Sequence, residues 1–176
     1  TAAGNTLSQI SLRPRPAIVG AEASGRIIYI AYQGDHPLYI VHMTCEDALD
    51  RVREGTKRNQ KVWVETCVQY LLLDESLYFQ GVDENSFEGS KWVMSPPLRK
   101  KKDQDALWAG INQNLVHTVA TDHCPLCIAQ NKMGVKDFAK LPNGAPGLAH
   151  RMDLMFSDAL RKNNPSISHF LCVHST

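Results

Sequence analysis

The sequence has no excess of charge of either sign and no long apolar run. Its 19 Lys and Arg residues are balanced by 18 Asp and Glu residues, which gives a formal net charge of +1. Binding to nucleic acid through phosphates needs a positive field that this balance does not provide. No apolar run approaches the roughly 20 residues that span a bilayer. We therefore expect neither a nucleic-acid nor a membrane partner, and we interpret the basic run at 99–102 as a solvated loop or a helix start.

An even, regularly spaced set of cysteines is also missing. The five cysteines are odd in number and irregular in spacing, which excludes the disulfide framework of a small secreted protein and predicts reduced thiols in the cytoplasm. Cys124 and Cys127 form a Cys-x-x-Cys pair, for which a zinc or redox site is an alternative interpretation. A structural zinc site needs four ligands, and Cys45 and Cys67 are isolated. A redox pair begins a helix, whereas we expect a long loop here.

No glycine-rich phosphate loop follows any apolar run, which disfavours nucleotide binding. The apolar runs predict strands over 37–44, 61–66 and 115–122, the first of them buried on both faces. Helices are predicted over 17–33, 45–55, 103–113 and 148–163, with Thr44 capping the second, and a last short helix within 166–176. This alternation predicts an α/β fold with a parallel sheet, either doubly wound or part of a (β/α)8 TIM-type barrel.

Polar residues stand at the ends of the predicted strands, where barrel enzymes carry their catalytic groups. The first strand is predicted to end at His42 and the third at Asp122. Imidazole and carboxylate are both ligands of Zn²⁺, and a carboxylate beside a metal can act as a general base. Two alternatives remain open: His42 can be a hydrogen-bonded core histidine, and Asp122 with His123 can cap the following turn.

Five segments resemble the hydantoinase and dihydropyrimidinase family of cyclic amidohydrolases. They are "PLYIVHMTC" (37–45), "VWVETCVQYLLLDES" (62–76), "FEGSKWVMSPPLRKKKDQDALW" (87–108), "TVATDHCP" (118–125) and "GVKDFAKLPNGAPG" (134–147). Their order and spacing agree with the family over nearly the whole chain. Gln69-Tyr70-Leu71 and the "TDHCP" motif resemble hydantoinases more than allantoinases or dihydroorotases. Cys124 belongs to the family motif, and Cys127 is then incidental.

The resemblance implies a metal-dependent hydrolase that opens cyclic amides such as hydantoins and dihydropyrimidines. By resemblance, His42 would bind one Zn²⁺ of a binuclear centre and Asp122 the other. Asp122 would also carry the proton of the bridging hydroxide to the leaving amide nitrogen. Ser95 and Asn143 would bind the ring through main-chain hydrogen bonds, while Arg99 and Arg151 would be structural ion-pair residues. The family also implies a cytoplasmic homo-oligomer, a tetramer, in pyrimidine catabolism.

The family's other metal ligands precede the region that this chain resembles. They are a His-x-His pair, a carboxylated lysine and a further histidine, and the sequence contains no His-x-His. We therefore expect residues 1–176 to form a single incomplete barrel domain, about the second half of the barrel, without the N-terminal barrel half and the β-sandwich. We expect this chain alone to be inactive. The alternative is a non-catalytic dihydropyrimidinase-related interaction protein, which keeps the fold but loses metal ligands.

Overall fold

The computed structural model describes residues 15–80, 88–131, 140–162 and 167–174. Three strands are interleaved with helices, in the order predicted from the sequence. In chain order the elements are α1 (Ala17–Gln33), β1 (Leu38–Ile40), α2 (Glu46–Thr56), β2 (Val62–Cys67), α3 (Val68–Leu72), two 3-10 helices (Glu75–Phe79 and Glu88–Trp92), α4 (Lys101–Asn112), β3 (Thr118–Ala120), α5 (Ile128–Asn131), α6 (Arg151–Lys162) and α7 (Ile167–His174).

The strands form a parallel sheet in the order β1-β2-β3. Tyr39 pairs with Trp63 between β1 and β2, and Glu65 pairs with Thr118 between β2 and β3. Helices α2 and α4 make the two crossovers, because parallel neighbours cannot be joined by a tight turn. All three carboxyl ends therefore lie at one edge of the sheet. The predicted α/β architecture with a parallel sheet is confirmed.

The core lies between the sheet and the helices of the crossovers. Along β2 the burial alternates, with Val62 and Val64 buried and Trp63 exposed. Apolar residues of both crossover helices are fully buried together with Val64 of β2. They are Leu49 and Val52 of α2, and Leu107 and Ile111 of α4. The opposite face is different, since Tyr39 is 49% and Trp63 is 41% exposed. The prediction that the first strand is buried on both faces is thus wrong for the described residues.

One buried carboxylate, not Thr44, caps α2. Asp103 is 3% exposed and its Oδ1 accepts a hydrogen bond from the backbone N–H of Glu46 at 3.0 Å. Its Oδ2 accepts another from the N–H of Lys100 at 3.2 Å, at the start of α4. A carboxylate at a helix N-terminus satisfies free N–H groups and interacts favourably with the helix dipole. Asp103 therefore joins the first turns of the two crossover helices.

The basic run at 99–102 leads into α4, which begins at Lys101. Among the described residues, every helix is too short or too polar to cross a membrane.

Candidate functional site

His42 and Asp122 lie in equivalent positions after two strands of the sheet. β1 ends at Ile40 and β3 at Ala120, so each candidate comes two residues beyond its strand. Both have left-handed backbones, with φ of 39° at His42 and 46° at Asp122. Only a few per cent of non-glycine residues adopt such angles. The prediction that the strands continue to these residues is wrong by two positions, because the chain turns away from the sheet there.

Buried hydrogen bonds to β2 fix the backbone next to His42. The N–H of Met43 donates to the carbonyl oxygen of Glu65 at 2.8 Å, and the hydroxyl of Thr66 donates to the carbonyl oxygen of Met43 at 2.7 Å. Thr66 and Met43 are both buried, whereas the His42 side chain is partly exposed. His42 is thus held at the edge of the sheet on a fixed backbone and is accessible to a ligand.

Asp122 lies near the carboxyl end of β2. Burial raises the pKa of Cys67, and the charges of Glu65 and Asp122 raise it further. The pKa of Tyr70 is also raised, mainly by burial and additionally by Cys67 and Asp122. The Asp122 side chain itself is exposed. Since β1 and β3 are separated by β2, the candidates lie on both sides of the end of β2 and not on adjacent strands.

The structure brings Ser95 and Asn143 together. The hydroxyl of Ser95 donates to Oδ1 of Asn143 at 3.2 Å, and the amide nitrogen of Asn143 donates to the carbonyl oxygen of Leu141 at 3.2 Å. Next to this contact, the N–H of Gly144 donates to the carbonyl oxygen of Val93 at 3.1 Å. The two segments predicted to bind a ring therefore form one surface, although they are 48 residues apart in sequence.

Two residues that were not among the predicted site residues hold this surface in place. The hydroxyl of Tyr70, just beyond β2, donates to the carbonyl oxygen of Pro96 at 2.9 Å. The guanidinium of Arg15 donates to Oγ of Ser95. A tyrosine in a buried apolar run needs a partner for its hydroxyl, and this requirement was the available signal for Tyr70. Nothing in the local sequence indicated Arg15, because its partner is 80 residues away.

Arg99 and Arg151 have structural roles, but with other partners than expected. Arg99 donates through Nε to the hydroxyl of Thr44 at 3.3 Å and through Nη1 to the carbonyl oxygen of Arg15 at 2.5 Å. Nη1 of Arg151 donates to the carbonyl oxygen of Val119 at 3.1 Å. These described contacts run to a hydroxyl and to backbone carbonyls rather than to carboxylates. Arg151 thereby joins the start of α6 to β3, and Arg99 joins its segment to Arg15 and to the loop after β1.

The residues present fit a metal only in part. His42 and Asp122 are suitable ligand types for Zn²⁺, which takes four ligands. Within residues 15–80, 88–131, 140–162 and 167–174, no group of three or more His, Cys, Asp and Glu side chains could hold a metal ion. Cys124 and Cys127 are exposed free thiols, and α5 begins right after Cys127, so the loop predicted there is wrong for residues 128–131, while residues 132–139 lie outside the described residues. The described residues therefore include side chains of suitable ligand type, but not a complete set of metal ligands.

Comparison with known proteins relates the chain to hydantoinases and dihydropyrimidinases. No family model matches the chain. The D-phenylhydantoinase of Escherichia coli O1:K1 / APEC is 42% identical over 172 residues, which are 97% of this chain and 36% of that protein. The crystal structure of dihydropyrimidinase from Brevibacillus agri NCHU1002 superposes with a TM-score of 0.91 at 39% identity, over 97% of this chain and 36% of that one. For the D-hydantoinase from a Bacillus sp. AR9 the TM-score is 0.91 at 37% identity, with the same coverage.

These similarities confirm the predicted fold and the family resemblance. The chain spans about a third, 36%, of the length of the relatives that it matches. The three-stranded parallel sheet with its helices is the corresponding part of their TIM-type barrels.

Proposed function

Since this chain is homologous along nearly its whole length to part of the hydantoinases and dihydropyrimidinases, we propose that it provides one side of the active site of a cyclic amidohydrolase. The reaction is hydrolytic ring opening of cyclic amides such as hydantoins and dihydropyrimidines. One observation supports this most: His42 and Asp122 follow two parallel strands with the same two-residue offset and the same left-handed backbone. Strained backbone of this kind is concentrated at functional sites.

The proposed cofactor is a pair of Zn²⁺ ions. His42 would bind one ion and Asp122 the other, with the remaining ligands supplied by residues outside the described set. When bound, such ions polarise the amide carbonyl and acidify water. An exposed carboxylate and a partly exposed imidazole on fixed loops are accessible for this role.

Asp122 is proposed as the group that moves the proton. Its carboxylate takes a proton from the attacking water as oxygen bonds to the ring carbonyl carbon. The same proton then passes to the ring nitrogen as the carbon–nitrogen bond breaks, so the carboxylate is regenerated. A positioned acid or base typically contributes about 10²–10⁴-fold to rate.

Ser95 and Asn143 are proposed to bind the ring through their main chains. Their side chains already hydrogen bond within the protein, because the Asn143 amide contacts both Ser95 and Leu141. The backbone N–H and C=O groups of the two segments can then match the fixed pattern of donors and acceptors on a cyclic amide. Such preorganised groups need little rearrangement during the reaction.

Residues 1–176 are proposed to be a single α/β barrel portion that needs further strands to complete the site. The exposed Tyr39 and Trp63 side chains, on the sheet face opposite the crossover helices, support this, as does the lack of three clustered ligands in the described part. We expect no turnover of hydantoin by this chain alone in the presence of zinc. Robust turnover would contradict that expectation.

The proposed assembly and location follow the family. Large apolar side chains on α1, among them Ile18, Tyr29 and Ile30, are exposed, which favours a homo-oligomer such as a tetramer. All five cysteines are free, which favours the cytoplasm.

The experiment compares wild type with Asp122→Asn in the enzyme that carries this sequence, using hydantoin and dihydrouracil with zinc present. We expect kcat to fall about 10²–10⁴-fold, because amide oxygen cannot accept the proton. The control is Asp35→Asn, since Asp35 also has a left-handed backbone, with φ of 51°, but lies before β1. Equal activity of wild type and Asp122→Asn would overturn the proposal. A wild-type protein that binds no zinc and opens no ring would favour the interaction-protein alternative.

A further inference from the structure

The imidazole next to Asp122 accepts two hydrogen bonds from a distant loop. Nδ1 of His123 accepts from the backbone N–H groups of Gly147 at 3.1 Å and Leu148 at 3.2 Å. We propose that His123 is a positioning residue, which fixes the loop 141–148 (the ring-binding loop) relative to Asp122. This inference rests on the proposed function, in which Asn143 of that loop contacts the ring.

Two consecutive N–H groups donate to the same ring nitrogen, and this defines the tautomer of the neutral imidazole. An acceptor nitrogen carries no proton, so the neutral ring holds its proton on Nε2. The two donors begin the turn that leads into α6, where the N–H of Arg151 donates to the carbonyl oxygen of Gly147 at 3.1 Å. In its described contacts, His123 therefore caps a turn 24 residues further along the chain rather than the turn that directly follows it.

Backbone contacts beside His123 bring the two segments to their closest approach. His123 forms a parallel bridge with Ala145, and the N–H of Cys124 donates to the carbonyl oxygen of Ala145 at 3.0 Å. A Cβ atom on Gly144 would lie 2.7 Å from the carbonyl oxygen of Cys124, so a side chain does not fit there. Asp122 and Asn143 stand immediately before these joined segments. Their relative position thus depends on this junction.

The side chain of His123 is the part of the junction that a substitution can remove. Without it, the backbone bond from Cys124 to Ala145 remains, but the N–H of the buried Gly147 loses its acceptor. A buried donor without a partner is unfavourable, so the loop would move away from this arrangement. Ring binding depends on the loop, whereas proton transfer depends on Asp122. We therefore expect KM to rise while kcat changes little.

The test uses the enzyme that carries this sequence, with His123→Ala, His123→Asn and the control His150→Ala. Asn places its Oδ1 close to the position of the imidazole Nδ1 and can accept the same bonds. His150 lies in the same turn with an exposed side chain. The readouts are amide hydrogen exchange at Gly147 and Leu148, and KM and kcat for hydantoin.

For His123→Ala we expect the amide exchange rates and KM to rise about tenfold each, because two ordinary hydrogen bonds are lost. In His123→Asn both values should return close to wild type, and His150→Ala should match wild type throughout. A His123→Asn variant as impaired as His123→Ala, or unchanged exchange and KM in His123→Ala, would overturn the inference. If His123→Ala does not fold, His123→Asn is compared with wild type instead. Exchange and KM close to wild type would support the inference, and impaired values would overturn it. If wild type opens no cyclic amide, the proposed function fails, and hydrogen exchange still tests the junction.

Discussion

The two loops that carry His42 and Asp122 are fixed in different ways. After β1, Met43 makes both of its backbone hydrogen bonds to residues of the neighbouring strand, Glu65 and Thr66. After β3, the chain is attached through His123 and Cys124 to residues about 20 positions further on. The first loop is thus part of the sheet, while the second depends on a separate loop being in place. We infer that substitutions at either attachment lower folding stability, and that substitutions at the second attachment, near Asp122, also weaken ring binding.

The largest stability effect is expected from Gly144→Ala, which disrupts the second attachment. The added Cβ would lie 2.7 Å from a backbone oxygen of Cys124, which cannot move as a flexible side chain would. Overpacking of this kind destabilises by about 2–3 kcal/mol, and KM for hydantoin should rise. Urea unfolding and steady-state kinetics measure the two effects.

Gly20→Ala is the matched control for that substitution. Gly20 lies within α1, and the nearest atom to a Cβ added there would be Sγ of Cys45 at an ordinary 4.0 Å. Alanine in a helix should be stabilising by about 0.5–1 kcal/mol. Equal stability of the two variants would show that the close approach at Gly144 is unimportant.

A smaller effect is expected from Thr66→Val, which breaks the first attachment. The substitution keeps the shape of a fully buried side chain but removes the donor to the carbonyl oxygen of Met43. We expect a loss of about 1–2 kcal/mol in the free energy of unfolding, measured by urea denaturation.

Thr56→Val removes the same kind of bond at an exposed site, where Thr56 donates to the carbonyl oxygen of Arg53 at 3.0 Å. It should change stability by less than about 0.5 kcal/mol. The distinction between the two sites would fail if the exposed substitution cost as much as the buried one.

The smallest stability effect is expected at His117. This residue directly precedes β3, at the sheet edge opposite to that of His42 and Asp122. Burial lowers the pKa of His117 from its ordinary value of 6.5, and its Nδ1 accepts a hydrogen bond from the N–H of Val64 at 3.1 Å. The folded state therefore binds a proton at His117 less readily than the unfolded state does. The contribution of neutral His117 to stability is complete above pH 6.5 and is lost as the pH falls below it.

His117→Asn keeps an acceptor at the same position but does not titrate. Urea unfolding at several pH values should show a smaller loss of stability in acid for the variant than for wild type. An identical pH dependence in both proteins would contradict this assignment to His117.

The sequence was sufficient to predict the order of strands and helices, because apolar runs and helical periodicity are local signals. The same local signal led to the prediction of His42 and Asp122 as site residues, since both directly follow such runs. The ends of the first and third strands were predicted two residues too late, because a left-handed turn at His or Asp has no distinct apolar pattern. Asp103 capping α2 and Arg15 contacting Ser95 could not be predicted, since each partner is brought near only by the folded chain.

His42 and Asp122, as we propose, serve the same metal-dependent reaction from one edge of the sheet. The most direct test is the zinc content of the enzyme that carries this sequence, measured after dialysis for wild type, His42→Ala and Asp122→Asn. We predict that each substitution lowers the bound zinc per chain and lowers kcat for hydantoin at least about 10²-fold, while Asp35→Asn changes neither. Full zinc content and activity in either His42→Ala or Asp122→Asn would contradict the proposal.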